Sequence, residues 1–201
     1  MKTTKSQILY ESFKLFLSKG YKDVTMNDLV KASSLSKGAF YHYFVSKEDL
    51  FKQSITAFFF TGLTERKFVP SFMVSVNENL NNLIDFKANA YKQLLNATQL
   101  KNLDTGYFSL IFQAIKMFPE FRETLKAGVG MEEKTVATIF EIGIENGEVN
   151  WKLSPKDLSS MFTAMLDGVE LHTVIYGEID SLHSEEKRLA VEFCKMIKSA
   201  S

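Results

Sequence analysis

Between Thr25 and Lys47 the chain reads TMNDLVKASSLSKGAFYHYFVSK, two short helical patterns separated by a turn too small to hold anything else. Thr25 is a good helix N-cap. Asp28, three residues on, can reach back as in a capping box and favours the positive end of the helix dipole. A helix therefore starts at Met26, buries Met26, Leu29 and Val30, and ends near Ala32, where Ser33 and Ser34 compete for backbone hydrogen bonds. Leu35 plugs the turn from inside, and Ser36 caps a second helix through Phe44, with Phe40 and Phe44 on its buried face. Two such helices around a turn of three or four residues make a helix-turn-helix, which sets the N-terminal end of its second helix in the DNA major groove.

The side chains left outside suit that task. Ser36 and the free N–H groups of the first turn can hold a phosphate oxygen, Gly38 lets the backbone come close, and Lys37 can reach a guanine edge or a phosphate. Tyr41 and Tyr43 can donate hydroxyls to phosphates or stack on sugars and thymine methyls; the competing reading makes them half-buried core aromatics. Thr25, Ser34 and His42 complete the candidate DNA-facing set, and Lys47, opening the next helix, is placed for the phosphate backbone alone. Residues 1–52 carry nine lysines against five acids on a chain of zero formal charge. That local excess fits nucleic-acid contact as well as a merely solvated face. The same residues contain no arginine, so bidentate arginine-to-guanine contacts are absent and base reading falls to Lys, Tyr, His and apolar groups.

Ile8, Leu9, Phe13, Phe16 and Leu17 write a preceding helix from about Thr4 to Lys19, stopped by Gly20. Ser46 and Asp49 start a fourth helix at Lys47, which carries Leu50, Phe51, Ile55, Phe58 and Phe59 inward and is long enough to enter a second domain. Three consecutive rings, Phe58 to Phe60, span too wide an arc to face one way, as expected of a domain junction, a pocket wall or two-sided burial.

Helical repeats continue through Leu80 to Leu95 and Tyr107 to Phe118, then from Pro119 to about Asn146 with a bend or break expected near Gly128 and Gly130. Ser154, Pro155 and Asp157 open a helix to Tyr176 with more than one apolar stripe, implying two partners. A last helix is capped by Ser184, with Glu185 and Glu186 in its first turn. With three prolines, ten glycines and no alternating runs, the fold expected is all-α: a helix-turn-helix domain over residues 1–46 and a larger helical domain over 47–201.

Residues 8 to 51 resemble the DNA-binding domain of the TetR family of bacterial transcriptional regulators. The matching residues are Phe16, Gly20, Thr25, Leu29, Ala32, Leu35, Ser36, Lys37, Gly38, Phe40, Tyr41, Tyr43, Phe44, Ser46, Lys47, Glu48 and Leu50. The run SKGAFYHYFVSKEDL carries the specificity, while Val30 and Ser34 stand where the family usually has Ala and Gly. The resemblance implies a homodimer joined through its last two long helices, operator DNA as partner, a small-molecule ligand in the C-terminal domain, and repression relieved by that ligand. An activator of the same fold, or a helical protein-interaction module with a vestigial helix-turn-helix, are the alternatives.

Phe108, Phe112, Met161 and Met165 suit an adaptable apolar pocket or ordinary core. His172 and Tyr176, one turn apart, fit either a ligand contact or a hydrogen-bonded subunit interface. Three scattered histidines form no metal-ligand set, no cofactor motif occurs, and no phosphate-binding glycine loop or nucleophile elbow suggests an enzyme. A lone Cys194, no secretory leader and no apolar run of about 18 residues point to the cytoplasm rather than a membrane.

Overall fold

The structure, a computed structural model, describes residues 4–60, 67–98, 105–150 and 152–198. Among these residues all regular structure is helical. The helices are α1 (Thr4–Asp23), α2 (Met26–Ser33), α3 (Lys37–Tyr43), α4 (Lys47–Ile55), α5 (Val76–Thr98), α6 (Thr105–Met117), α7 (Glu120–Glu145), α8 (Pro155–Tyr176) and α9 (Leu182–Lys198). The chain divides into two compact units, Met1–Glu65 with Leu94–Leu125 and Arg66–Gln93 with Lys126–Ser201.

In the first unit α1 packs on α2, α4 and α6. It is broken where expected, at Gly20 (φ 78°, ψ 157°), a backbone conformation that a Cβ would strain. Phe13, Phe16, Phe40, Phe44 and Phe51 are fully buried. The Phe16 and Phe51 rings meet edge to face at 5.0 Å, and Tyr21 closes on Phe51 at 4.6 Å. After Ile55 the helix widens into a π turn, Thr56–Phe60. Phe58 stacks on Phe13 at 4.9 Å, Phe59 meets Tyr107 at 5.8 Å and Phe60 meets Phe121 at 4.4 Å. The extra residue in that turn is what lets three adjacent rings find three different partners within one unit.

The second unit is built on Leu80, Ile84, Val136, Ile139, Phe140, Leu158, Phe162, Ala190, Phe193 and Ile197. Phe193 is central, 5.3 Å from Phe162 and 5.8 Å from Phe140. Buried Asn79 pins the entry to α5, accepting from Ser71 N and donating to Ser71 O, both at 2.8 Å. Ser154 caps α8, accepting from Asp157 N, with Pro155 in the first turn; Gly177 ends it in the left-handed conformation (φ 74°).

Two expectations are corrected. No break occurs at Gly128 or Gly130: α7 runs through both, and the cost of about 1 kcal/mol per glycine is small beside the packing of a long helix. Nor does Ser184 cap the last helix. A 3₁₀ turn over Ile179–Ser181 leads into α9 at Leu182, and Ser184 Oγ lies inside the helix, donating to Ser181 O at 2.8 Å. The expectation that Trp151 packs the loop before Ser154 lies outside the described residues.

Buried Gly143 is a close-approach point. A Cβ there would collide with Val76 Cγ2 and would lie 2.7 Å from Val149 Cγ2, while its carbonyl accepts from Glu148 N and Val149 N to close the C-terminus of α7. Gly143→Ala is therefore expected to destabilise the protein by about 1–3 kcal/mol, read as a lowered urea midpoint with an unchanged slope.

Candidate functional site

Thr25 Oγ1 accepts from Asp28 N at 3.2 Å, and Asp28 Oδ2 accepts from Thr25 N at 2.9 Å, so the capping box forms in full. Hydrogen bonds from the Thr25 side chain and backbone hold the Asp28 carboxyl below its usual range. Ser33 Oγ donates to Val30 O and accepts from Leu35 N, and Ser34 turns the chain in the left-handed conformation (φ 57°, ψ 21°). That is the position where the sequence departs from the family's usual glycine, and serine carries it with the help of its N–H bond to Lys31 O. Leu35 is half-buried, short of a full plug.

Ser36 caps α3 as expected, accepting from Ala39 N at 3.3 Å. Phe40 and Phe44 are buried completely, so at about 100° per residue Tyr41 and Tyr43 fall on opposite flanks and Gly38 and His42 point furthest out. The exposures agree: Tyr41 is 36% and Tyr43 39% exposed, and Lys37, Gly38 and His42 are exposed. Lys37 Nζ sits 6.0 Å from the Tyr41 ring centre, a loose cation–π contact that leaves its ammonium available. A Cβ at Gly38 would meet nothing within 4 Å. Nothing among the described residues requires glycine at that outermost point.

Lys47 is differently engaged from its neighbours. Its ammonium donates to Tyr21 O at 2.9 Å and Val24 O at 2.8 Å and lies 4.3 Å from the Tyr21 ring centre. It ties the start of α4 to the connection between α1 and α2, using two of its three donors. A sequence window around Lys47 could not show this, because the partners lie 26 and 23 residues away.

The six candidate ligand residues divide between the units. Phe108, half-buried, and Phe112, 64% exposed, belong to α6 in the first. Met161 and Met165 line an open apolar groove of about 320 Å³ with Leu189, Glu192, Phe193 and Met196, between α8 and α9. His172 and Tyr176 lie further along α8, exposed, with rings stacked at 5.7 Å. On that side of α8, Met161, Ala164, Gly168, Leu171 and Ile175 follow the 3-4-3-4 spacing of a coiled-coil seam, and Met161, Leu171 and Ile175 are 45%, 46% and 59% exposed.

Sequence reasoning placed Glu186 among first-turn acids, yet it is buried on the apolar face of α9 with Ala190, Phe193 and Ile197. The signal was its i, i+4, i+7, i+11 register with those residues. Among the described residues no group of three or more His, Cys, Asp and Glu could hold a metal, and no helix is long and apolar enough to cross a membrane.

Residues 8–53 match the family model described as bacterial regulatory proteins, tetR family. The uncharacterized HTH-type transcriptional regulator YuxN of Bacillus subtilis (strain 168) is 44% identical over 50 residues, 25% of this chain and 17% of that protein. The biofilm operon icaADBC HTH-type negative transcriptional regulator IcaR of Staphylococcus aureus (strain Newman) is 33% identical over 55 residues, 27% of this chain and 30% of that one. The chain thus spans less than a third of the length of these curated relatives. Along its whole length the fold is similar to that of the flavonoid-responsive regulator FrrA, with a TM-score of 0.61, 18% identity and full coverage of both chains.

Removing the Lys47 bridge leaves the Tyr21 and Val24 carbonyls without their charged donor. Lys47→Ala is expected to cost about 1.5–3 kcal/mol of stability in urea unfolding, an effect that a lysine reaching only for DNA would not produce.

Proposed function

We propose that this chain is a member of the tetR family of bacterial regulatory proteins, a reading supported by the match over residues 8–53, and a ligand-responsive transcriptional repressor that binds its operator as a homodimer. The reading rests on one observation above the others. α3 buries both phenylalanines and turns Ser36, Lys37, Gly38, Tyr41, His42 and Tyr43 toward solvent, with a glycine at the point of closest approach to any groove it enters. Phosphate oxygens would meet Ser36 and the N-terminus of α3, with Thr25, Ser34 and the remaining Lys47 donor at the flanks. Bases would be read by Lys37 and the two tyrosines.

The exposed seam on α8 supports the dimer. Small residues at its centre, Ala164 and Gly168, let a second copy approach closely, and the groove between α8 and α9 extends the apolar face. On this reading Met161, His172 and Tyr176 serve the subunit interface rather than the ligand, residues 1–46 form the DNA-binding domain, and residues 47–201 carry dimerisation and ligand response in the cytoplasm. The two copies of α3 would occupy successive major grooves about 34–36 Å apart. IcaR being a negative regulator supports repression, and FrrA being flavonoid-responsive supports control by a small molecule.

The test is a gel shift with the DNA upstream of the chain's own gene, alongside size-exclusion chromatography. The wild type is expected to run as a dimer and to shift that DNA. Tyr41→Ala is expected to keep the dimer and the melting temperature but to lose about 1–3 kcal/mol of affinity per half-site. Lys37→Ala should lower the slope of log affinity against log salt by about one per subunit. A monomer, or no shift on that DNA, would overturn the reading.

A further inference from the structure

The outer face of α3 is poor in the groups that usually read bases. Its residues, KGAFYHY, include none of the Arg, Asn, Gln, Asp and Glu side chains that pair in fixed geometry with guanine, adenine or cytosine edges. The lysine excess of residues 1–52 gives affinity for any duplex, so the choice of sequence has to come from this face.

Phe40 and Phe44 mark the inward direction. Turning each residue by about 100° puts His42 opposite them, with Gly38 and Ala39 within about 60° of it on either side. All three are exposed. Two of the three outward positions therefore end at a Cα or a Cβ. In the leading turn, the part of a recognition helix that meets base edges, Lys37 is the only long polar side chain. Ser36 Oγ is committed to the cap, accepting from Ala39 N at 3.3 Å. The Tyr41 and Tyr43 rings leave on opposite flanks, where their hydroxyls suit the phosphates that border a groove. Asn27, exposed on α2, belongs to the helix that crosses the DNA backbone.

A bare step of this kind selects by shape and polarity. The side chains at 38 and 39 can neither donate to a base edge nor accept from one. Their small size lets the helix settle deeper, and the space in front of Gly38 is open, since an added Cβ meets nothing within 4 Å. The major groove offers one apolar group, the C5-methyl of thymine, and the Ala39 methyl is its direct complement. Set against another base, the step covers hydrogen-bonding edges and gains no apolar contact in return.

We propose that this chain selects its operator chiefly through thymine C5-methyl groups received on the Gly38–Ala39 step, with Lys37 and His42 supplying the hydrogen-bonded part of base reading. The class of DNA bound is then a half-site with thymines, rather than a run of guanines, under the leading turn of α3. This deepens the reading of α3 as the helix that enters operator DNA, and rests on it.

Gel shifts of the full chain test it, with the DNA upstream of its own gene amplified once with thymidine triphosphate and once with deoxyuridine triphosphate, and unrelated duplex as competitor. The uracil duplex keeps every Watson–Crick pair and lacks the methyls. The wild type is expected to bind it at least about tenfold more weakly, because a two-fold symmetric dimer makes each methyl contact twice. Ala39→Ser sets a hydroxyl on the step. It is expected to weaken binding of the thymine duplex and to shrink the thymine-to-uracil affinity ratio at least about threefold. A merely structural role for Ala39 would lower affinity for both duplexes alike and leave that ratio unchanged.

Equal binding of the two duplexes by the wild type, or a ratio untouched by Ala39→Ser, would overturn the proposal. Equal shifts of both duplexes defeat only the methyl reading and leave the repressor standing. No shift of the thymine duplex defeats the repressor and this proposal with it.

Discussion

Burial of the Phe40 and Phe44 rings is the constraint on which the exposed face of α3 depends. α3 is only seven residues long, and an isolated helix of that length is not stable in water. It exists because those two rings are held among buried aromatic and aliphatic side chains of the first unit. Fixing them fixes the rotation of the helix, and rotation alone decides that Gly38 and His42 face outward with a tyrosine on each flank. The chemistry of the exposed face is therefore set by the packing of the hidden one.

Much of this could be read from the sequence because its signals are local. A cap and its acid lie three residues apart, so Thr25 with Asp28, Ser36, Ser46 with Asp49 and Ser154 with Asp157 each announced a helix start that the structure contains. Glycines in the left-handed region at 20, 147 and 177 likewise mark ends. What could not be read depends on partners far away in the chain. The hydrogen bonds of Lys47, the π turn that distributes Phe58 to Phe60, and the uninterrupted passage of α7 through Gly128 and Gly130 are all settled by tertiary packing. Local propensity has no access to that information.

Lys47 shows how the two levels meet. The family resemblance and its position at a helix N-terminus suggest a phosphate contact, whereas the structure gives it two backbone carbonyls to hold. The roles are compatible, because an ammonium has three donors and a phosphate would need one. They also bind function to fold: the group that would contact the DNA backbone is the one that sets the start of α4 against the end of α1.

α8 carries the same logic into the second unit. Its excess of apolar residues called for two partners, and the structure supplies one through the buried stripe of Leu158, Phe162 and Leu166. Met161, Leu171 and Ile175 remain in solvent, and a stripe with heptad spacing is costly to leave there. The proposed second copy would close on that stripe, so one helix carries a face of the unit's own core and a face left for a partner.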